Sequence, residues 1–345
     1  VGKIEYISVE KQIEKLKSQN LIISDEIFAK NCLEQFGYSN LIKSYREPYV
    51  IISDEGKKFR SDIKFEQIVS LYILDKNLRI AVMAAMLDLE EHIKEITADV
   101  VAKAFGIHQD SYLQYRNYQN KRKSKRRFSL TGILETMKGT LDTDKEPIYH
   151  YRTKYGIVPP WILFRSVYLS TIVNFVDQLK APEKRAMVRR LYKKESNISE
   201  EQLISLMMDT LYISLEYRNI AAHGGRIFNY KCNKGLRSNS NERSGEGFCL
   251  FLSLLNFLEY QSPYKYLENT LTQELNRHCK AFPQDVTYLS QILNLNITSY
   301  QIAWINSKSN KYHLNKHCSG LKNAREIELK KAKELGFIKC RKCCG

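Results

Sequence analysis

From about residue 63 to residue 105 the apolar positions Ile68, Leu71, Leu74, Leu78, Val82, Met86, Leu89, Ile93, Ile96 and Val100 recur every three or four residues, and Gly106 stops the pattern. A period near 3.6 held this long belongs to an amphipathic helix and to nothing else in the structural menu. The spacing predicts one long helix or two in tandem, and the flanking segments repeat the signal. Val9, Ile13 and Leu16 mark a helix over Ser8–Gln19. A second follows with Ser24 as N-cap, Phe28, Cys32, Leu33 and Phe36 as its apolar face and Gly37 as its stop, giving a front helical hairpin over about 8–37. Further helices are predicted over Pro160–Leu179, Glu183–Tyr192, Phe248–Tyr260 and Tyr264–Phe282. Ser199-Glu-Glu-Gln202 is a capping-box pattern that opens a helix running to His223. Residues 231–247, rich in Ser, Asn and Gly, read as a loop.

The last segment changes character. After about residue 300 come a short β-prone run, Ile302-Ala-Trp-Ile305, a final short helix over Ala324–Leu335 and clustered Cys and His. The expected organisation is a helical domain over 1–300 and a small Cys/His module over 301–345. His313 and Cys318 are separated by four residues, and Cys340-Arg-Lys-Cys343 follows after 21 intervening residues. A Cys-x2-Cys loop places two thiolates on one ion, and a distant His/Cys pair completes four ligands, so structural zinc on His313, Cys318, Cys340 and Cys343 is expected. His317 and Cys344 are adjacent alternatives that spacing alone does not separate. About 45 residues build little core without such a staple. The remaining cysteines are scattered, unlike a secreted disulfide framework.

Charge narrows the partner. The chain carries 54 Lys and Arg against 38 Asp and Glu, a formal net charge of +16, which concentrates polyanions at its surface. Residues 301–345 alone hold 11 basic and 3 acidic residues. Tyr115 to Phe128 holds seven cations, three aromatics and no acid. Cations interleaved with rings suit a nucleic-acid backbone and its bases, so Arg116, Lys121, Arg122, Lys123, Lys125, Arg126 and Arg127 are candidate RNA contacts in a basic insert over about 114–128, one too charged to be buried. An anionic membrane is a poorer partner, because the longest apolar stretch, Phe248 to Leu258, is far short of the roughly 20 residues that span a bilayer. The N-terminus has no apolar signal core behind its basic residue, and a cytoplasmic protein is expected.

The sharpest chemical pattern is Tyr217-Arg218-Asn219-Ile220-Ala221-Ala222-His223-Gly224-Gly225-Arg226. An imidazole titrates near neutrality and moves protons, and a guanidinium holds phosphate oxygens as charge develops on them. RNA supplies its own nucleophile in the 2′-hydroxyl, so such a pair needs no metal. Five residues rotate two side chains about 140° apart on a straight helix. The pair therefore requires the helix to end near Ala222, where the glycines stand.

Arg-Asn-x-x-Ala-His followed by Gly-Arg-x-x-Asn, here Arg218, Asn219, Ala222, His223, Gly225, Arg226 and Asn229, resembles the signature of Abi-like proteins of the HEPN class. The front hairpin, Asp75-Lys-Asn-Leu-Arg79, and Glu90 with Lys94 resemble the same family, over roughly residues 5 to 280. Lys94 stands where the family usually has Arg, and Phe36-Gly37-Tyr38-Ser39 replaces a more aromatic, Arg-containing segment. Glu90 and Lys94, spaced i, i+4, read as a helix-face ion pair.

The resemblance implies an all-α HEPN-type bundle, here followed by a small α+β zinc module. It also implies a bacterial phage-defence ribonuclease that works as a homodimer and leaves a 2′,3′-cyclic phosphate without a catalytic metal. His223 would transfer protons, Arg218 would steady the phosphate, Asn219 would orient the site and Arg226 would hold a neighbouring phosphate. Because some Abi-like proteins resemble the HEPN halves of RNA-guided effectors, a stably bound structured non-coding RNA is a further expectation. The competing expectations are a non-catalytic RNA-binding scaffold and a toxin acting on a protein or a nucleotide.

Overall fold

The computed structural model describes residues 5–53, 56–193, 198–232, 247–297, 302–314, 318–319, 321 and 323–344. The elements in chain order are α1 (Val9–Ser18), α2 (Glu26–Phe36), β1 (Val50–Ser53), β2 (Gly56–Phe59), α3 (Phe65–Phe105), α4 (Gln109–Tyr112), α5 (Leu130–Leu141), α6 (Ile148–Tyr155), α7 (Pro160–Leu163), α8 (Leu169–Gln178), α9 (Ala181–Leu191), α10 (Glu200–Ala222), α11 (Phe248–Asn256), α12 (Ser262–Ala281), α13 (Val286–Leu293), β3 (Ile302–Ile305), β4 (Lys311–Tyr312), β5 (Arg325–Glu328), α14 (Leu329–Glu334) and β6 (Ile338–Lys339). The architecture is helical, with small two-stranded sheets. Contacts divide the chain into two units, Val1–Leu78 with Asn269–Gly345 and Arg79–Glu268. The boundary expected near residue 300 falls at 298–301, outside the described residues.

In the first unit α1 and α2 form the front hairpin, and Asp25 rather than Ser24 caps α2, accepting from the Phe28 amide at 2.9 Å. The β1–β2 hairpin that follows was not apparent from periodicity. Ile68, Leu71, Leu74 and Leu78 of α3 are all fully buried. Beside them Asp285 accepts from Tyr49 Oη at 2.7 Å and Gln67 Nε2 at 2.8 Å, while His278 Nε2 lies 2.9 Å from the same carboxylate. Ser70 Oγ completes the chain 2.9 Å from His278 Nδ1. Despite its Ser, His and Asp this network is a structural tie: His278 has no exposed surface, and both carboxylate oxygens are already hydrogen-bonded.

The C-terminal segment of this unit carries its own core of Ala303, Ile305, Tyr312, Leu329 and Ala332, with Ile327 and Phe337 packed on it. β3 pairs antiparallel with β5, and β4 pairs parallel with β6. The final helix starts at Leu329 rather than Ala324, because Arg325–Glu328 is drawn into that ladder.

In the second unit the remaining predicted positions of α3, Val82, Met86, Leu89, Ile93, Ile96 and Val100, are likewise buried. The helix expected over Pro160–Leu179 is broken: α7 ends at Leu163, a 3₁₀ turn covers Phe164–Ser166, and α8 begins at Leu169. α8, α9 and α11 pack around α10, which opens on the expected capping box: Ser199 Oγ accepts from the Gln202 amide at 3.2 Å, and Gln202 Oε1 accepts from the Ser199 amide at 2.8 Å. Among the described residues no helix is long and apolar enough to cross a membrane.

Candidate functional site

α10 is buried almost continuously from Leu206 to Ser214, so its middle is core and not surface. Its last turns split into two faces. Tyr217 and Ala221 point inward, and the Tyr217 ring stacks on Phe251 at 4.3 Å with Phe248 and Tyr230 edge-on. Burial, reinforced by Cys232 nearby, pushes the Tyr217 hydroxyl well above the usual phenol range, so it stays protonated and donates to the Tyr230 carbonyl at 3.1 Å. Cys232 is itself pushed up to about 12 by burial and by Glu216. The opposite face carries Asn219, Ala222 and His223, all exposed, with Arg218 at its edge.

The helix end is set by its glycines. Gly224 has φ +71°, the left-handed conformation, and its amide donates to the Ala221 carbonyl at 3.2 Å. The Gly225 amide donates to Ile220 at 2.9 Å, and the two bonds together make a Schellman motif with His223 as the C-cap. A Cβ on Gly225 would lie 2.8 Å from Ile220 Cγ2, so the chain turns back too tightly for any side chain. The turn leads directly into Ile227 and Phe228, both buried, which pin the returning chain and leave Arg226 half-buried between them and the helix end.

α10 therefore stops at Ala222, where convergence of the two side chains requires it to stop. Arg218 Nη1 makes one long contact, 3.4 Å to Asn219 Oδ1, and among the described residues it pairs with no carboxylate; Glu216 instead accepts from Tyr230 Oη at 3.0 Å. Among the described residues no hydrogen bond joins Arg218 to His223; the helix end leaves Arg218 half-exposed and His223 exposed.

Glu90 and Lys94 form the i, i+4 ion pair that their spacing predicts, but in a largely buried setting. They bond at 2.6 Å with side chains only 16% and 10% exposed, and Lys94 Nζ also reaches the Arg165 carbonyl at 3.3 Å. They line a cleft of about 540 Å³ with Asp88, Trp161 and Tyr260.

The basic insert divides into anchored and free cations. Lys121 Nζ lies 3.1 Å from the buried Asp177, and Lys123 bonds both to Asp177 and, at 2.9 Å, to Tyr212 Oη of α10. Burial opposes the charge on Lys123, but its hydrogen bonds to Asp177 and Tyr212 outweigh that and hold its pKa above the ordinary lysine value. Tyr118 is 5% exposed, so the insert is partly buried, contrary to the reading of its charge. Asp177 is the residue sequence reasoning missed: a carboxylate inside the apolar run of α8 signals a buried partner for a cation. Arg126 is held by Glu135 at 2.8 Å, and Arg127 lies over the Phe128 ring at 4.7 Å. Arg116, Arg122 and Lys125 are exposed.

In the C-terminal module the ligand atoms of His313, Cys318, Cys340 and Cys343 all lie within 4.8 Å of one another. His313 is 2% exposed, with Nδ1 3.5 Å from Cys343 Sγ and Nε2 without a partner. An N–S separation of about 3.5 Å is the edge of a tetrahedron with ligand bonds of about 2.0 and 2.3 Å, so the donor set fits zinc. The strands supply the geometry: His313 exchanges two 2.8 Å backbone bonds with Trp304, and the Cys340 amide donates to Tyr312 at 3.0 Å. Cys344 Sγ lies 3.6 Å from the Tyr312 carbonyl, outside the set, and His317 lies outside the described residues.

A family model described as Abi-like protein matches residues 31–229, more than half of the chain and the whole of the Arg/His motif. The chain belongs to the Abi-like family. Membership suggests a part in abortive infection, a defence against phage. No curated protein and no solved structure matches the chain.

Proposed function

We propose that this Abi-like protein is a HEPN-type endoribonuclease that cleaves RNA by attack of the 2′-hydroxyl on the adjacent phosphorus, without a catalytic metal, as part of abortive infection in the bacterial cytoplasm. The observation that supports it is the end of α10: a helix buried through its middle carries Arg218, Asn219 and His223 on its less buried face at a glycine-fixed terminus. The 2′-oxygen forms its bond to phosphorus as the bond to the 5′-oxygen breaks, leaving a 2′,3′-cyclic phosphate and a 5′-hydroxyl. His223 moves the proton and Arg218 carries the charge that develops on the phosphate oxygens. Asn219, in contact with the guanidinium, orients it. The motif offers a single imidazole per chain, and the reaction takes one proton and gives one, so we assign the working form to a homodimer in which two motifs meet. Zinc on His313, Cys318, Cys340 and Cys343 holds the terminal module and takes no part in the reaction.

Arg226, the exposed Arg116, Arg122 and Lys125, and the basic terminal module provide a grip on RNA apart from the reacting groups, and a stably bound structured RNA is the expected partner. The test is to purify the protein without nuclease treatment and to sequence the RNA that accompanies it, from wild type and from Arg218→Ala/His223→Ala. Discrete 2′,3′-cyclic phosphate ends present only in wild type are the expected result. RNA bound equally by both, with the same ends, would make the chain a scaffold; no RNA and no cleavage would overturn the proposal.

A further inference from the structure

One helix of the second unit has surface chemistry that the Arg/His motif does not use. α6 reads Ile148-Tyr-His-Tyr-Arg-Thr-Lys-Tyr155 and buries only Ile148. Tyr149 and Tyr155 are 43% and 54% exposed, and His150 is exposed beside them. A helix that turns its rings outward forgoes the burial that normally justifies them. The rings hold one another in place: His150 lies 5.8 Å from Tyr151 and 5.7 Å from Tyr155, and Tyr151 lies 5.4 Å from Tyr155.

Cations are interleaved with them. Lys154 Nζ stands 5.3 Å from the Tyr155 centroid, and among the described residues it pairs with no carboxylate. Arg152 sits 5.8 Å over Tyr149 and is fixed from behind, donating to the Leu141 carbonyl and, at 3.1 Å, to Asp144. Leu141 is also the rim of an open cleft of about 760 Å³ lined by Tyr115, Arg116, Gln114 and Lys138. Gln109, on the same cleft, donates to the Gly156 carbonyl at 3.3 Å and accepts from the Val158 amide at 3.0 Å, tying the end of α6 to that rim. Exposed rings and cations thus continue from α6 to the first residues of the basic insert.

We infer that α6 is a stacking platform for single-stranded RNA, with bases on the outer faces of Tyr149, His150 and Tyr155 and the backbone on Lys154, Lys138 and Arg116. His150 and Tyr155, held by each other and by Tyr151, and Tyr149, held by Arg152, lose little freedom when a base stacks on them, and such stacking is tolerant of sequence. A duplex, whose bases are already stacked, has nothing to offer the platform. The assignment rests on RNA being the ligand of this chain, and it adds where unpaired nucleotides are held.

The experiment uses the full chain in a His223→Ala background, so that binding is read without cleavage, with a fluorescein-labelled 12-nucleotide oligoadenylate and a duplex RNA of equal length as probes. Tyr149→Ala/Tyr155→Ala is expected to weaken oligoadenylate binding by about ten-fold or more, leave duplex binding unchanged and leave the melting temperature unchanged, since both rings are exposed. Tyr149→Phe/Tyr155→Phe keeps the rings and is expected to bind within about two-fold of the parent. Equal oligoadenylate binding by the parent and the alanine variant would overturn the platform alone. Failure of the parent to bind either probe would overturn the platform and the RNA reading together, as would alanine-sensitive binding confined to phosphatidylglycerol vesicles.

Discussion

The end of α10 and the C-terminal module both present a histidine in a short, specific pattern, and they hold it by opposite means. At α10 the scaffold is apolar: Tyr217 is stacked in the core, and Asn219 and His223 are left outside. In the module the histidine is inside, its ring nitrogen among three thiols, beside an apolar core that counts five buried residues among those described. An exposed imidazole is available for proton transfer. A buried one beside thiols is suited to hold a metal ion. The same residue type is assigned to chemistry in one region and to architecture in the other by burial alone.

That contrast breaks most sharply in the module. Cys340→Ser, or removal of zinc with a strong chelator, is expected to abolish its ordered structure while the helical domain still melts cooperatively, because the ligands contribute folding energy that so small a core cannot replace. Hydrogen exchange mapped over 302–344 checks it. At α10 the corresponding injury is Tyr217→Ala, expected to cost about 3–5 kcal/mol through the cavity left beneath Phe248 and Phe251, measured by urea denaturation. RNA cleavage should fall with it, since the helix end rests on that ring.

How much of this was legible in the sequence follows from the same physics. The ten apolar positions of α3 are all core, and Ser199 and Gln202 form the capping box, because period and caps are local signals. His313, Cys318, Cys340 and Cys343, the expected metal ligands, come together, although spacing alone left His317 and Cys344 as alternatives. The break in the helix after Leu163, the β1–β2 hairpin and the strand at Arg325–Glu328 were not legible, since tertiary pairing decides them. In the basic insert composition misled: Lys121 and Lys123 look identical to Arg122 and Lys125 until Asp177, more than fifty residues away, draws two of them inward. The Tyr-rich run of α6 carries no sequence mark of its exposure, because exposure is a property of the fold.

Smaller changes sharpen the comparison. Gly225→Ala is expected to destabilise by about 1–3 kcal/mol, because its Cβ meets Ile220 and the Schellman turn must open; the same substitution at the exposed, uncrowded Gly139 should be neutral or slightly stabilising. The smallest effect is one of pH. Burial, then Arg190, holds the pKa of His92 below its ordinary 6.5, against a smaller opposing pull from Asp88. Its neutral form therefore contributes stability above 6.5 that is lost as pH falls through the folded value. His92→Gln should flatten the decline in melting temperature between pH 7 and pH 5.

The central claim is that His223 moves the proton in RNA cleavage. Its most direct test is the single-turnover rate at which wild type and His223→Ala cut the RNA that accompanies the protein, without added divalent cation, with product ends identified by a ligase specific for 2′,3′-cyclic phosphates. A fall of about a hundred-fold or more with RNA affinity unchanged is the predicted result, the size expected for loss of a general acid–base group. Cleavage by His223→Ala at the wild-type rate would contradict it.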